Sequence, residues 1–147
     1  MALRERLSEE MKDAMKSRDE LRLSAIRLIR SAVKNKDIEV KRELNDQEIV
    51  EVIATLVKQR RESIRLFSEA GRQELVEKEE KELAILLGFL PQQLSRAEVA
   101  ELVARAIAEC GAQGAKDMGR VMKALMPHVA GRADGKMVSA VVREQLG

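Results

Sequence analysis

Tryptophan and tyrosine are absent from this 147-residue chain, and the only aromatic rings are Phe67 and Phe89. The core therefore has to be aliphatic, and the aromatic stacking platforms of sheet- and barrel-type RNA binders are excluded. One cysteine, Cys110, and one histidine, His128, fall short of the roughly four nitrogen or sulfur ligands a structural zinc site needs. A disulfide framework is excluded for the same reason. Long apolar runs are also missing: the longest uncharged stretch is Leu83 to Ser95, and Arg4, Glu5, Arg6, Glu9 and Glu10 crowd the first ten positions. Neither a secretory leader nor a membrane span is expected, which points to a cytoplasmic protein with no membrane partner.

What is present is aliphatic and charged. Hydrophobic residues make up 45% of the chain and charged residues 35%, with a net charge of only +2, too mild to define a nucleic-acid binder without local clustering. A chain of this size forms one or two small domains and buries about 68–70% of its unfolded surface. Apolar residues recur at spacings of three and four almost throughout, and strict alternation is nowhere sustained, so the fold class is all-α. Leu3, Leu7, Met11 and Met15 make the seam of a first helix stopping near Ser17. Ser17 and Glu20 have capping-box spacing and open a second helix with Leu21, Ala25, Leu28, Ile29 and Ala32 inward, followed by a polar loop or frayed end over 35–43. Asn45 and Glu48 repeat that spacing before a long helix with Ile49, Ile53, Leu56, Val57, Ile64 and Phe67 on one face, ending at Gly71. Leu75, Val76, Leu83, Leu86, Leu87 and Leu90 define a fourth helix, which Pro91 terminates.

The organisation predicted is an N-terminal bundle of about four helices over 1–91 and a small three-helix unit over 92–147. In the second unit, Ser95 and Glu98 cap a helix ending at Gly111. A helix carrying Met118, Val121, Met122, Leu125 and Met126 follows, with all three methionines expected in the core. A turn at 131–135 leads, with Asp134 as N-cap, into a last helix bearing Val138, Val141, Val142 and Leu146. A three-helix unit of this size has a thin core.

Charge is unevenly laid along the chain. Residues 1–90 hold 19 basic and 19 acidic residues, so the whole positive excess falls in the C-terminal unit. From Leu21 to Lys36 there are five basic residues and no acid, with Arg22, Arg30 and Lys34 roughly on one helical stripe. A solvated helix face and a phosphate-binding stripe both fit that pattern. Lys58, Arg60, Arg61 and Arg65 face the acids Glu74, Glu77, Glu79, Glu80 and Glu82 of the next helix if the two pack antiparallel. The expected interhelical pair is Arg60 with Glu80. Those glutamates come without Asp or His, so neither a metal site nor any cofactor is expected. Cys110 reads as a small buried hydrophobe and His128 as a cap for helix-end carbonyls, against the sharper alternatives of nucleophile and general base. No nucleophile elbow or Gly-rich phosphate loop occurs, no catalytic residue is assigned, and independent catalysis is not expected.

The segment Met118 to Lys136, MGRVMKALMPHVAGRADGK, concentrates glycines, cations and two helix starts. Arg120 and Lys123 lie off the apolar side of their helix, while Arg132 and Lys136 flank the turn before the last one. Helix N–H groups with flanking cations suit an anion, although a charged, glycine-terminated turn also accounts for the pattern. This segment, together with ERLSEEMKDAMKSRD, LRLSAIRLIRSAVKN, KQRRESI, AGRQELVEKEEKEL and FLPQQLS, resembles the YqeY-like family nearly end to end. Its C-terminal part is similar to the tail of the GatB subunit of the tRNA-dependent amidotransferase, matching at Gly119 to Lys123 and Gly131 to Asp134, with Arg132 where that tail has lysine.

The resemblance implies an all-helical unit that helps hold tRNA. Arg120, Lys123, Arg132 and Lys136 are then the candidate nucleic-acid-binding residues, touching phosphates of tRNA or another structured RNA by shape and not by base sequence. Four such contacts imply a loss of about 50-fold in affinity between 50 and 200 mM salt. It also implies association with an amidotransferase, a carbon–nitrogen ligase using glutamine as amido donor, or with an aminoacyl-tRNA synthetase. The ATP-binding cradle and the amidase subunit of that enzyme have no counterpart here. A protein adapter gripping an acidic partner through the basic faces at 21–36 and 58–65 is the remaining alternative.

Overall fold

The structure is a computed structural model and describes residues 2–147. The described residues form seven α-helices and one short 3-10 turn, joined by turns and short loops, with no strand among them. The chain divides into two compact units, Met1–Leu90 and Pro91–Gly147. The first holds α1 (Leu3–Ser17), α2 (Glu20–Val40), α3 (Asp46–Glu69) and α4 (Gln73–Leu87). The second holds α5 (Arg96–Cys110), the 3-10 turn Ala115–Asp117, α6 (Met118–Val129) and α7 (Gly135–Leu146).

Local sequence sets most helix ends. Asn45 and Ser95 each accept from the backbone N–H three residues on, while Glu48 and Glu98 reach back to the N-cap N–H, so both capping boxes form. Gly71 and Gly111 take the left-handed backbone, φ 71° and 64°, that closes a helix at no steric cost. The second helix starts differently from the expected Ser17–Glu20 box. Ser17 is the last residue of α1, Arg18 turns left-handed at φ 59°, and Asp19 is the N-cap, accepting from the Arg22 N–H at 3.1 Å. Of the stretch over 35–43, expected as a loop or a frayed helix end, the part up to Val40 is the end of α2. Tertiary contact supplies what local propensity does not: the Asp37 carboxylate accepts from both terminal nitrogens of the Arg4 guanidinium, at 3.0 and 3.1 Å, and from the Leu44 N–H at 2.8 Å. The α2 end is thereby tied to α1 and to the approach to α3.

Each unit has its own aliphatic core. In the first, Leu7, Ile26, Ile29, Ile49, Ile53 and Leu86 are fully enclosed, with Phe89 against them. In the second, Val99, Val103, Val121, Leu125, Val138, Val141 and Val142 fill the space between three helices. Three residues expected inward are not. Met15, Leu28 and Met126 are 51%, 38% and 49% exposed, because the buried stripe of α2 runs through Ile26 and Val33, and α1 and α6 turn Ala14 and Val129 inward at their ends. Met118 and Met122 pack half-buried on the core as expected.

Arg60 does point from α3 to α4, but its partners are Glu79 and Glu82, the latter at 3.0 Å, while Glu80 faces solvent. Residues 79 and 82 are three apart and share a helical face, which Glu80 leaves by about 100°. Arg22 likewise leaves the basic stripe proposed for it. It joins Arg6 on the Glu10 carboxylate, and both guanidiniums stand over the Phe89 ring at 5.7 and 4.7 Å. Burial pushes the Glu10 carboxyl up, but the hydrogen bonds from Arg22 and Arg6 outweigh it and hold the group below its ordinary range.

Candidate nucleic-acid interface

The four candidate cations all lie on α6, α7 and the turn between them. Val121, Leu125 and Val129 anchor one side of α6 in the core, so Arg120 and Lys123, three residues apart, project together from the opposite side into solvent. They differ in occupancy. Arg120 donates to Asp117 at 3.1 Å, whereas Lys123 makes no ion pair among the described residues. Asp117 is held below its ordinary range chiefly by the Gln113 backbone N–H; burial opposes this, and Arg120 and Lys116 add to it. The Arg120–Asp117 pair is solvated on the arginine side, 56% exposed, and is the kind of contact a polyanion displaces at little cost.

Arg132 is half-buried, and its guanidinium serves the fold. Its Nε donates to the Gln92 carbonyl and one terminal nitrogen to the His128 carbonyl, both at 3.3 Å. Its own carbonyl accepts from the Leu94 N–H at 2.7 Å, and Gln93 donates to the Gly131 carbonyl at 2.8 Å. The segment before α5 is thus stitched to the α6–α7 turn. Arg132 has taken the carbonyl-capping part expected of His128, whose side chain is exposed. Gly131, at φ 73°, supplies the left-handed residue that lets the turn reverse.

Lys136 stands in the first turn of α7, exposed and without an ion pair among the described residues. Asp134 is the N-cap of that helix and accepts the Lys136 N–H at 3.2 Å, so the helix end already carries its own carboxylate. An incoming anion would meet the lysine side chain and not an empty helix terminus. One cation was missed from the sequence: Arg143 lies seven residues after Lys136 on the same exposed face of α7 and makes no ion pair among the described residues. The i, i+7 spacing was the available signal. Cys110 is half-buried at the end of α5.

The structure therefore defines an all-helical protein of two units, the second presenting solvated cations on α6 and α7. The chain belongs to the YqeY-like family, which it matches over residues 4–146. Similar curated proteins include the "Altered inheritance of mitochondria protein 41, mitochondrial" of three fungi. The Pyrenophora tritici-repentis protein is 32% identical over 145 residues, covering 97% of this chain and 80% of that protein. The Kluyveromyces lactis protein is 39% identical over 84 residues, 56% of this chain and 45% of its own length, and the Lachancea thermotolerans protein 36% identical over 100 residues, 67% and 53%. The chain spans about half the length of these last two.

The relatives are named as mitochondrial, which overturns the cytoplasmic location expected from the sequence. That expectation rested on the lack of an apolar run, which bears on secretory leaders and membrane spans and carries no information about organelles. No described helix is long and apolar enough to cross a membrane.

Proposed function

We propose that the C-terminal unit binds structured RNA, tRNA foremost, through its phosphate backbone, with Lys123, Lys136 and Arg120 as the contacting cations. The observation that carries this reading is the pair of lysines on adjoining helices, exposed and without carboxylate partners among the described residues. Like charges left unpaired on a small unit favour a polyanion, and the absence of Trp and Tyr favours backbone contact over base stacking. Arg132 acts in this reading by holding the turn that carries Lys136, not as a primary contact.

Three phosphate contacts give a slope of about −0.7 to −0.9 each on a logarithmic salt axis, so affinity should fall by roughly 20- to 40-fold between 50 and 200 mM salt. A mobility-shift titration of bulk tRNA at the two concentrations tests it. Lys123→Glu with Lys136→Glu should weaken all tRNAs alike while leaving the circular dichroism unchanged. A salt-independent shift, or no shift at all, removes the proposal.

A second reading rests on the match of Gly119 to Lys123 and Gly131 to Asp134 with the amidotransferase tail. In it the protein assists glutamine-dependent amide transfer on tRNA in trans. Adding the protein to an amidotransferase stripped of its own tail should then restore conversion of Glu-tRNA, and unchanged conversion rejects it.

A further inference from the structure

The first unit carries a groove of about 720 Å³ between α1 and α2 that none of the foregoing uses. Its apolar lining includes Met11 and Met15 with Leu7 and Val33, two serines lie among them, and its basic rim is Arg27, Arg30 and Lys34. The rim residues sit at i, i+3 and i+7 on α2, all exposed, so they form a single stripe about 10 Å long at 1.5 Å per residue. At one end Arg4 and Asp37 neutralise each other at 3.0 Å.

The three rim cations have no such compensation. None of them makes an ion pair among the described residues, and the Arg30 guanidinium donates to the Met11 sulfur at 2.9 Å. A thioether is a weak acceptor for a guanidinium with five donors. Three like charges within about one Debye length, solvated and without a carboxylate partner among the described residues, are set against apolar side chains that include a methionine 51% exposed. That combination selects for its occupant. Carboxylates match the rim, and aliphatic side chains match the unbranched, polarizable methionines, which repack around different shapes. A nucleic acid satisfies the rim but leaves the floor wet, since the groove offers no ring on which a base could stack.

We infer that this groove docks an acidic amphipathic helix of a partner protein, its apolar side laid on Met11 and Met15 and its carboxylates on Arg27, Arg30 and Lys34. The interface is built from residues of the first unit alone, uses none of the cations of α6 and α7, and does not depend on RNA binding there.

The test uses the full chain with ¹³C-methyl methionine and a synthetic peptide with Leu at i, i+3, i+4 and i+7 and Glu on the flanking positions. Titration should shift the Met11 and Met15 methyl signals and leave those of Met118 and Met122 in place. The combined variant Arg27→Glu, Arg30→Glu and Lys34→Glu, with unaltered circular dichroism, should bind at least about tenfold more weakly. Lys123→Glu with Lys136→Glu should bind the peptide as the unaltered chain does. The inference fails if neither methyl moves, or if a peptide of the same composition with scattered leucines binds equally well, which would mean unspecific charge attraction. It also fails if bulk tRNA moves the same methyls and displaces the peptide, which would make the groove a nucleic-acid site.

Discussion

Replacing Arg60 with alanine should be among the most damaging single changes on the polar surface of the N-terminal unit. The guanidinium bridges Glu79 and Glu82, and the three side chains are only 20%, 16% and 13% exposed. Removing it leaves two carboxylates three residues apart in a poorly solvated seam between α3 and α4. Breaking a buried ion pair from one side costs about 3–5 kcal/mol, and partial exposure lowers the expectation here to roughly 2–3 kcal/mol. For a unit of this size that is a fall in Tm of about 10–20 °C. Thermal and urea unfolding followed by circular dichroism measures it directly.

Two further variants separate the causes. Arg60→Lys keeps the charge but offers a point ammonium where a planar fork spans two carboxylates, so it should fall in between. Arg60→Met with Glu79→Leu and Glu82→Leu removes all three charges together with the buried Arg60 Nε, which has no hydrogen-bond partner. That triple variant should recover most of the stability. A loss below about 0.5 kcal/mol for Arg60→Ala would refute the reasoning, placing the cluster with ordinary solvated pairs.

Leu125→Ala, at a position 1% exposed, should cost about 2–5 kcal/mol; a unit this small holds only a few kcal/mol, so loss of its helical signal at 37 °C is expected, and retention of cooperative unfolding there would count against the packing described. Arg18→Gly relieves a left-handed residue at φ 59° and should raise stability by about 0.5–1 kcal/mol, net of the extra freedom glycine gains in the unfolded chain; a lower Tm would contradict it. The Arg42 guanidinium, with the Asn45 N–H, lowers the Glu48 carboxyl from its ordinary 4.5 to about 2. A carboxyl depressed in the folded state stabilises above its unfolded value, and that stabilisation disappears as pH falls from about 4.5 through about 2. Glu48→Gln should flatten this part of the acid-unfolding curve, and an unchanged curve would remove Glu48 as a contributor.

The candidate cations were visible as residue types, and their freedom was not. Nothing in the spacing of Arg132 distinguished a phosphate ligand from a clamp on the Gln92 and His128 carbonyls, since Gln92 lies forty residues away in sequence. Lys123 and Lys136 stayed solvated because no acid of α5, α6 or α7 was brought to them, which is a matter of helix placement. The unpaired α2 stripe shows the same division. Arg22 was removed from it by Glu10 and Phe89, contacts no local pattern displays.

By itself the sequence determined the all-helical class, the positions of the capping boxes at Asn45 and Ser95, and the left-handed stops at Gly71 and Gly111, because helix ends and amphipathic periodicity are settled by side chains within a turn or two of one another. The tertiary structure alone decided that α2 runs on to Val40, that Ile26 and not Leu28 faces the core, and that Arg60 meets Glu79 and Glu82. Each of these depends on which neighbouring helix approaches and at what rotation, and an apolar stripe or a charge run leaves several such rotations open until packing selects one.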